Sequence, residues 1–211
     1  MTPIVSPELD AYIRDLLPAR HPVIAEMEEQ ARTRDIPIVG PAVATLLSVL
    51  ARSIGARRVF ELGSAIGYST AFFAQAVGPR GSVFYTDGSE KNAREARGYL
   101  DRLGLADRVA MQVGEAVALL EASSEDFDVV FVDIDKEGYP AALEAAAPRV
   151  RRGGYLLADN VLWSGRVVDD SARDPATEGI REFNRRLFAR ADFSSVIVPL
   201  RDGVAIARKL G

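Results

Sequence analysis

A doubly wound α/β fold is predicted for this chain of 211 residues: a mostly parallel seven-stranded sheet with an antiparallel C-terminal edge hairpin and an N-terminal helical cap. Three observations predict it. Five short strand-like runs alternate with helical stretches through the middle of the chain, the signature of a parallel sheet covered on both faces. Everything before the first run has helical periodicity alone. The last two strand-like runs are joined by Arg201-Asp202-Gly203, a hairpin signal.

In order, residues 7–18 and 22–35 carry apolar positions at helical spacing and are bounded by proline or a polar break. Residues 41–54 follow IPIVG as a helix with Pro41 in its first turn. The strand runs are RVFELG (58–63), SVFYTD (82–87), RVAMQVG (108–114), DVVFVD (128–133) and GYLLADN (154–160). Helical stretches lie between them at 67–78, 89–103, 115–122 and 137–150, and a last helix spans about 177–191. SSVIVPL and GVAIARK then form the hairpin. With no repeat and no Pro/Gly/Ser linker, residues 1–211 are expected to form a single domain, with 1–54 as cap and 55–211 as core.

Composition narrows the chemistry. Hydrophobic residues are 48% and charged residues 27%, so a sizeable core is available and disorder is excluded. No apolar run reaches the ~18 residues of a membrane helix, and no basic segment precedes an apolar stretch at the start, so a cytoplasmic protein with no membrane partner is expected. The absence of Cys excludes disulfides, thiolate nucleophiles and Cys-ligated metals. The single histidine, His21, makes multi-histidine metal sites and a Ser-His-Asp triad poor readings and is itself expected at a helix start. Only Lys91, Lys136 and Lys209 are lysines among 26 basic residues. A lysine kept where arginine is the habit suggests chemistry, because lysine can lose its proton.

Ligands of such sheets bind at the carboxyl ends of the strands. The first strand exits into Glu61-Leu62-Gly63-Ser64-Ala65-Ile66-Gly67-Tyr68-Ser69, where glycines permit close approach and a helix offers free N–H groups. The spacing G-x-x-x-G is neither the dinucleotide G-x-G-x-x-G nor a P-loop. Asp87 ends the next strand, 24 positions after Gly63, where a carboxylate accepts from ribose hydroxyls. The pattern reads as a nucleoside site; a tight turn with an Asp cap is the plainer alternative.

The fourth strand ends Asp133-Ile134-Asp135-Lys136 and the fifth Asp159-Asn160. Three carboxylates and an amide at neighbouring strand ends suit a hard cation such as Mg²⁺, or Mn²⁺ or Ca²⁺, rather than zinc. Lys136 is a candidate general base, with simple pairing to Asp133 or Asp135 as the alternative. Tyr139 and Trp163 flank these motifs as candidate walls for a planar substrate, or as packing residues.

ELGSAIGYS, DIDKEGY and DNVLWSG together resemble the class I S-adenosylmethionine-dependent methyltransferases, and within them the metal-dependent O-methyltransferases grouped with caffeoyl-CoA and catechol O-methyltransferases. The resemblance implies a Rossmann-like methyltransferase fold, S-adenosylmethionine as cofactor and a homodimer. It implies cofactor contacts at Val39, Glu61, Gly63, Ser64, Ser69, Asp87, Ala116 and Asp135, with Glu61 and Ser69 near the methionine end. It assigns the metal to Asp133, Asp159 and Asn160, and the base to Lys136. The implied reaction is methyl transfer to a metal-chelated hydroxyl of a small catechol-like or hydroxylated aromatic substrate. The insertion and coenzyme A contacts of the plant enzymes have no placed counterpart.

Two other functions remain open. DAYIRDLL, IPIV and IREFNRRL…IVPLRDGVAI are similar to bacterial tRNA 5-hydroxyuridine O-methyltransferases, and Arg181, Arg185, Arg186 and Arg190 lie largely along one helix face that would meet phosphates. A net charge of −4 leans against an RNA partner. A nucleotide-dependent oxidoreductase is the more distant alternative, opposed by the missing third glycine.

Overall fold

The computed structural model describes residues 4–211, so the first three residues of the expected cap lie outside it. Three helices come first: α1 (Pro7–Leu16), α2 (Pro22–Arg34) and α3 (Gly40–Ser53). Each carries a proline in its first turn, where the missing N–H costs nothing. Ser6 caps α1 through its hydroxyl, and His21 caps α2, its Nδ1 accepting from Val23 N at 3.2 Å.

Strand and helix then alternate: β1 (Arg58–Leu62), α4 (Tyr68–Val77), β2 (Ser82–Asp87), α5 (Glu90–Arg102), β3 (Val109–Val113), α6 (Ala116–Ala122), β4 (Phe127–Val132), α7 (Tyr139–Arg149), β5 (Val150–Ala158), α8 (Pro175–Ala189), β6 (Phe193–Val198) and β7 (Val204–Lys209). The seven strands lie in the order β3-β2-β1-β4-β5-β7-β6. The first five pair in parallel, and β7 pairs antiparallel with both β5 and β6. This is the mostly parallel, doubly wound sheet with an antiparallel C-terminal edge that the strand–helix pattern predicts.

Side chains alternate across the sheet, as a period of two requires. Val59, Val83, Tyr85, Val129 and Phe131 face α2 to α5, packing on Met27, Leu47, Phe73 and Leu100. Phe60, Leu62, Val130, Val132 and Leu156 face α6 to α8, packing on Leu120, Leu143, Ile180 and Phe183. Crossovers run to opposite faces on either side of the β1/β4 neighbours, which makes that point the topological switch.

Most boundaries shift by one or two residues from the sequence reading, and three shifts have a visible cause. β5 starts at Val150 rather than residue 154, because α7 ends directly into it and the β4–β5 register shifts near Phe127 to absorb the extra length. α7 starts at Tyr139, since Lys136–Gly138 forms a separate 3₁₀ turn. α8 starts at Pro175, capped by Asp174, whose carboxylate accepts from Thr177 N at 3.0 Å.

α8 packs against the Lys136–Gly138 turn through Gly179, where a Cβ would collide with the Lys136 carbonyl oxygen. In a free helix, alanine would be favoured over glycine by about 1 kcal/mol. Here the backbone collision reverses the sign, and overpacking costs of this kind are about 1–3 kcal/mol. Gly179→Ala is therefore expected to lower Tm by several degrees in a thermal melt; an unchanged or raised Tm would refute the contact.

Candidate active site

A cavity of about 820 Å³ opens at the carboxyl ends of β1, β2, β4 and β5, large by the standards of small-molecule sites. The backbone ladder continues one or two residues past these strand ends into its floor. Asp159 N donates to Val132 O (3.2 Å), Asp133 N to Leu62 O (2.9 Å), Ser64 N to Thr86 O (2.9 Å) and Gly114 N to Asp87 O (3.0 Å). Ser64, Gly114, Asp133 and Asp159 are thus fixed by the sheet itself. Gly63 has φ +84°, and a Cβ there would run into the Asp133 carbonyl, so only glycine fits.

At one end, Asp87 ties two loops together. Its Oδ2 accepts from Ala65 N (3.0 Å), and its Oδ1 accepts from Ser89 N (2.8 Å) and Asn92 Nδ2 (3.1 Å). The helix-cap alternative is therefore partly realised, on a carboxylate that still lines the cavity. Val39, Gly63, Ser64, Ser69 and Ala116 share that lining, as does exposed Asp135 on the facing loop. Glu61 does not reach the cavity wall and is fully buried beneath it. Its Oε2 accepts from Thr70 Oγ1 and from Ser64 Oγ (3.4 Å), while Oε1 has no partner. Burial pushes this carboxyl up to about 7, against the pull of the Ser69, Thr70 and Ser64 hydroxyls.

At the other end, Asp133, Asp159, Asn160, Lys136 and Trp163 line the cavity together. Asp159 is buried and its Oδ1 has no hydrogen-bond partner. Burial, and then the neighbouring Asp133 carboxylate, push Asp159 above the ordinary carboxylate range. Asn160 sits in the left-handed region at φ +56°, which asparagine tolerates better than most residues. Among the described residues no three His, Cys, Asp or Glu side chains gather into a metal-binding cluster; the candidate set here is two carboxylates and one amide.

Lys136 Nζ donates to Asp133 Oδ1 (3.0 Å), Ile134 O (3.0 Å) and Tyr139 OH (3.2 Å). The pairing with Asp133 left open by the sequence is therefore present. Tyr139 is not a wall of the cavity. It is fully buried, packed edge-on against Phe183, and its hydroxyl donates to Asp159 O at 2.9 Å. As the first residue of α7 it faces the core and supports Lys136 and Asp159 from beneath. Trp163 does line the cavity, with its indole N–H unpartnered.

Asn92, Glu115 and Arg201 also line the cavity and were not singled out by sequence. Glu115 caps α6, accepting from Val117 N and Ala118 N, and its place beside Ala116 was the available signal. Asn92 is brought in by the first turn of α5 and Arg201 by the β6–β7 hairpin, whose Arg201-Asp202-Gly203 signal marks a turn but not its meeting with the cavity. The four α8-face arginines are tied down within the chain: Arg181 to backbone oxygens and Glu178, Arg185 and Arg186 to Glu182, and Arg190 to Asp192.

The sequence model of one family, described as O-methyltransferase, matches residues 17–210. The chain belongs to this O-methyltransferase family. It is 31% identical to a catechol O-methyltransferase of Niastella koreensis, over 94% of this chain and 95% of that protein. It is 34% identical to a catechol O-methyltransferase of Mycobacterium tuberculosis, over 78% and 76%. The Bacillus cereus O-methyltransferase solved in complex with SAH superposes with TM-score 0.87 at 31% identity, covering 96% of this chain and 97% of that one. The Streptomyces achromogenes O-methyltransferase TomG, solved with SAM, gives TM-score 0.86 at 30% identity, covering 97% and 96%. An O-methyltransferase of this family uses S-adenosylmethionine as methyl donor, and no helix among the described residues is long and apolar enough to cross a membrane.

A carboxyl whose folded value is raised favours the folded state only while protonated, so its contribution is lost as pH climbs from the unfolded value toward the folded one. Wild-type protein should lose stability relative to Glu61→Gln between about pH 4.5 and about 7, by on the order of a few kcal/mol. Ligand-free thermal melts across that range check this; parallel curves for the two proteins would refute it.

Proposed function

We propose that the enzyme transfers a methyl group from S-adenosylmethionine to one hydroxyl of a small catechol-like aromatic, with a divalent cation held by Asp133, Asp159 and Asn160. The observation that carries this is the unpartnered, buried Asp159 Oδ1 beside Asp133 on the cavity floor. Two mutually repelling carboxylates, one with an orphaned oxygen, are costly unless something positive joins them. Hard oxygen donors fit Mg²⁺, with Mn²⁺ or Ca²⁺ as its substitutes.

Such a cation would lower the pKa of a hydroxyl beside it and favour an acceptor with two vicinal oxygens. Lys136 Nζ is the atom that would take the acceptor's proton, and its contact with Asp133 at 3.0 Å holds it beside the residues that would carry the cation. The acceptor oxygen bonds to the methyl carbon as the carbon–sulfur bond breaks, and that electron pair returns to sulfur. Holding donor and acceptor in line is worth about 7–11 kcal/mol in well-oriented reactions. On the donor side, Val39, Gly63, Ser64, Ser69, Asp87, Ala116 and Asp135 line the cavity, Asp87 to meet the ribose, while Glu61 acts from beneath through Ser64 and Thr70. Trp163 supplies one aromatic wall.

An RNA acceptor has less support, since the α8 arginines spend their charge inside the chain. A homodimer is part of the proposal: α1 buries none of its residues and leaves Leu9, Tyr12 and Leu16 exposed on one side. Leu16→Glu should then convert a dimer to a monomer in light scattering, and a wild-type monomer would remove this part.

The deciding assay is transfer of labelled methyl from S-adenosylmethionine to catechol with Mg²⁺. Excess chelator should abolish transfer, and Asp159→Asn should reduce it at least about 100-fold, the scale of losing a metal-organising group. S-adenosylhomocysteine binding by calorimetry should survive both treatments. Chelator-insensitive transfer would sink the metal; absence of transfer to catechol, with cofactor binding intact, would sink the acceptor.

A further inference from the structure

Arg201 sits at the turn of the β6–β7 hairpin with φ +54°, an unfavourable backbone for any residue with a side chain. The hairpin is zipped to the loop after β5. Val161 N donates to Gly203 O (3.0 Å), Leu162 N donates to Asp202 O (3.0 Å), and Ser164 N donates to the Asp202 carboxylate. Arg201 is thereby held on the cavity wall beside the loop that carries Asn160 and Trp163.

Its side chain is anchored by one bond, from Nη1 to the Ile38 carbonyl across the cavity mouth. An arginine has five N–H donors, so most of the fork stays free. Two cations line this cavity. Lys136 is paired with Asp133, whereas Arg201 has no carboxylate within 4.0 Å among the described residues. The rest of the charged lining is acidic: Asp87, Glu115, Asp133, Asp135, Glu137 and Asp159. With Lys136 already paired, Arg201 is the lining cation left free to meet an anionic substituent on a bound ring.

We infer that Arg201 is a specificity-determining residue that binds an anionic substituent, a carboxylate in a small aromatic, on the methyl acceptor. This rests on the reading of the acceptor as a small ring hydroxyl. The guanidinium fork matches a carboxylate in a bidentate manner, which lysine reproduces only as a point charge.

The test compares 3,4-dihydroxybenzoate with its methyl ester, which carry the same ring hydroxyls and differ in charge. The readouts are the ratio of kcat/KM values, and the ratio of affinities by calorimetry on protein loaded with S-adenosylhomocysteine. Ring reactivity cancels when the ratios are compared between proteins. Arg201→Gln should cut the preference for the carboxylate by about tenfold, and Arg201→Lys should retain part of it. Ratios unchanged in Arg201→Gln would overturn the inference, as would a variant whose only defect is a raised KM for S-adenosylmethionine. If neither compound binds or accepts methyl, the acceptor reading fails and this inference falls with it.

Discussion

The site depends on how closely two strand exits approach at the switch between β1 and β4. Gly63 passes over the Asp133 carbonyl with no room for a side chain, and Asp133 N returns a bond to Leu62 O at 2.9 Å. Any larger residue would separate the loop after β1 from the loop after β4. The cavity would then lose its floor, because the residues of one end hang on the first loop and those of the other on the second. The same extension of the ladder fixes Asp159 to β4 and Ser64 to β2. Groups placed this way are positioned by the sheet, the most rigid part of the fold.

That rigidity holds carboxyl groups where solvent would not leave them. Glu61 and Asp159 are both buried, each with one oxygen lacking a partner, and burial raises both. Most buried polar atoms in folded proteins are satisfied, so the exceptions at Glu61, Asp159 and Trp163 mark stability given up beside this cavity. Tyr139 braces this floor from the core side, its hydroxyl accepting from Lys136 Nζ and donating to the Asp159 backbone carbonyl.

Strand–helix alternation and the three motifs were enough to read the sheet and the cavity floor, because strand exits are contiguous in sequence with the residues they position. Gly63, Asp87, Asp133 and Asp159 are each the last strand residue or the first beyond it. What was hidden depends on contacts between distant segments. Tyr139 looks like a neighbour of Lys136 in sequence, yet the 3₁₀ turn before it rotates the ring into the core. Arg201 reads as a turn residue, and its meeting with Ile38 spans 163 positions that no local pattern encodes. The arginines of α8 look like a basic face, but carboxylates two to four residues away, and carbonyls of the preceding loop, absorb them.

The charge distribution in the cavity also bears on the proposed reaction. A sulfonium donor is a cation and its thioether product is neutral, so an acidic lining favours the donor over the product and aids exchange. The same field opposes catalysis, because the transition state has already lost part of the positive charge that the carboxylates stabilise. The opposition is weakest where positive charge faces the acceptor. Lys136 stands at that end, 3.0 Å from Asp133, and Arg201 faces it from the hairpin. A cation on Asp133 and Asp159 would cancel the two carboxylates nearest the acceptor and leave Asp87 and Glu115 at the opposite end. The cavity would then be negative toward the donor and positive toward the nucleophile, a polarity that favours an anionic oxygen attacking a cationic methyl donor.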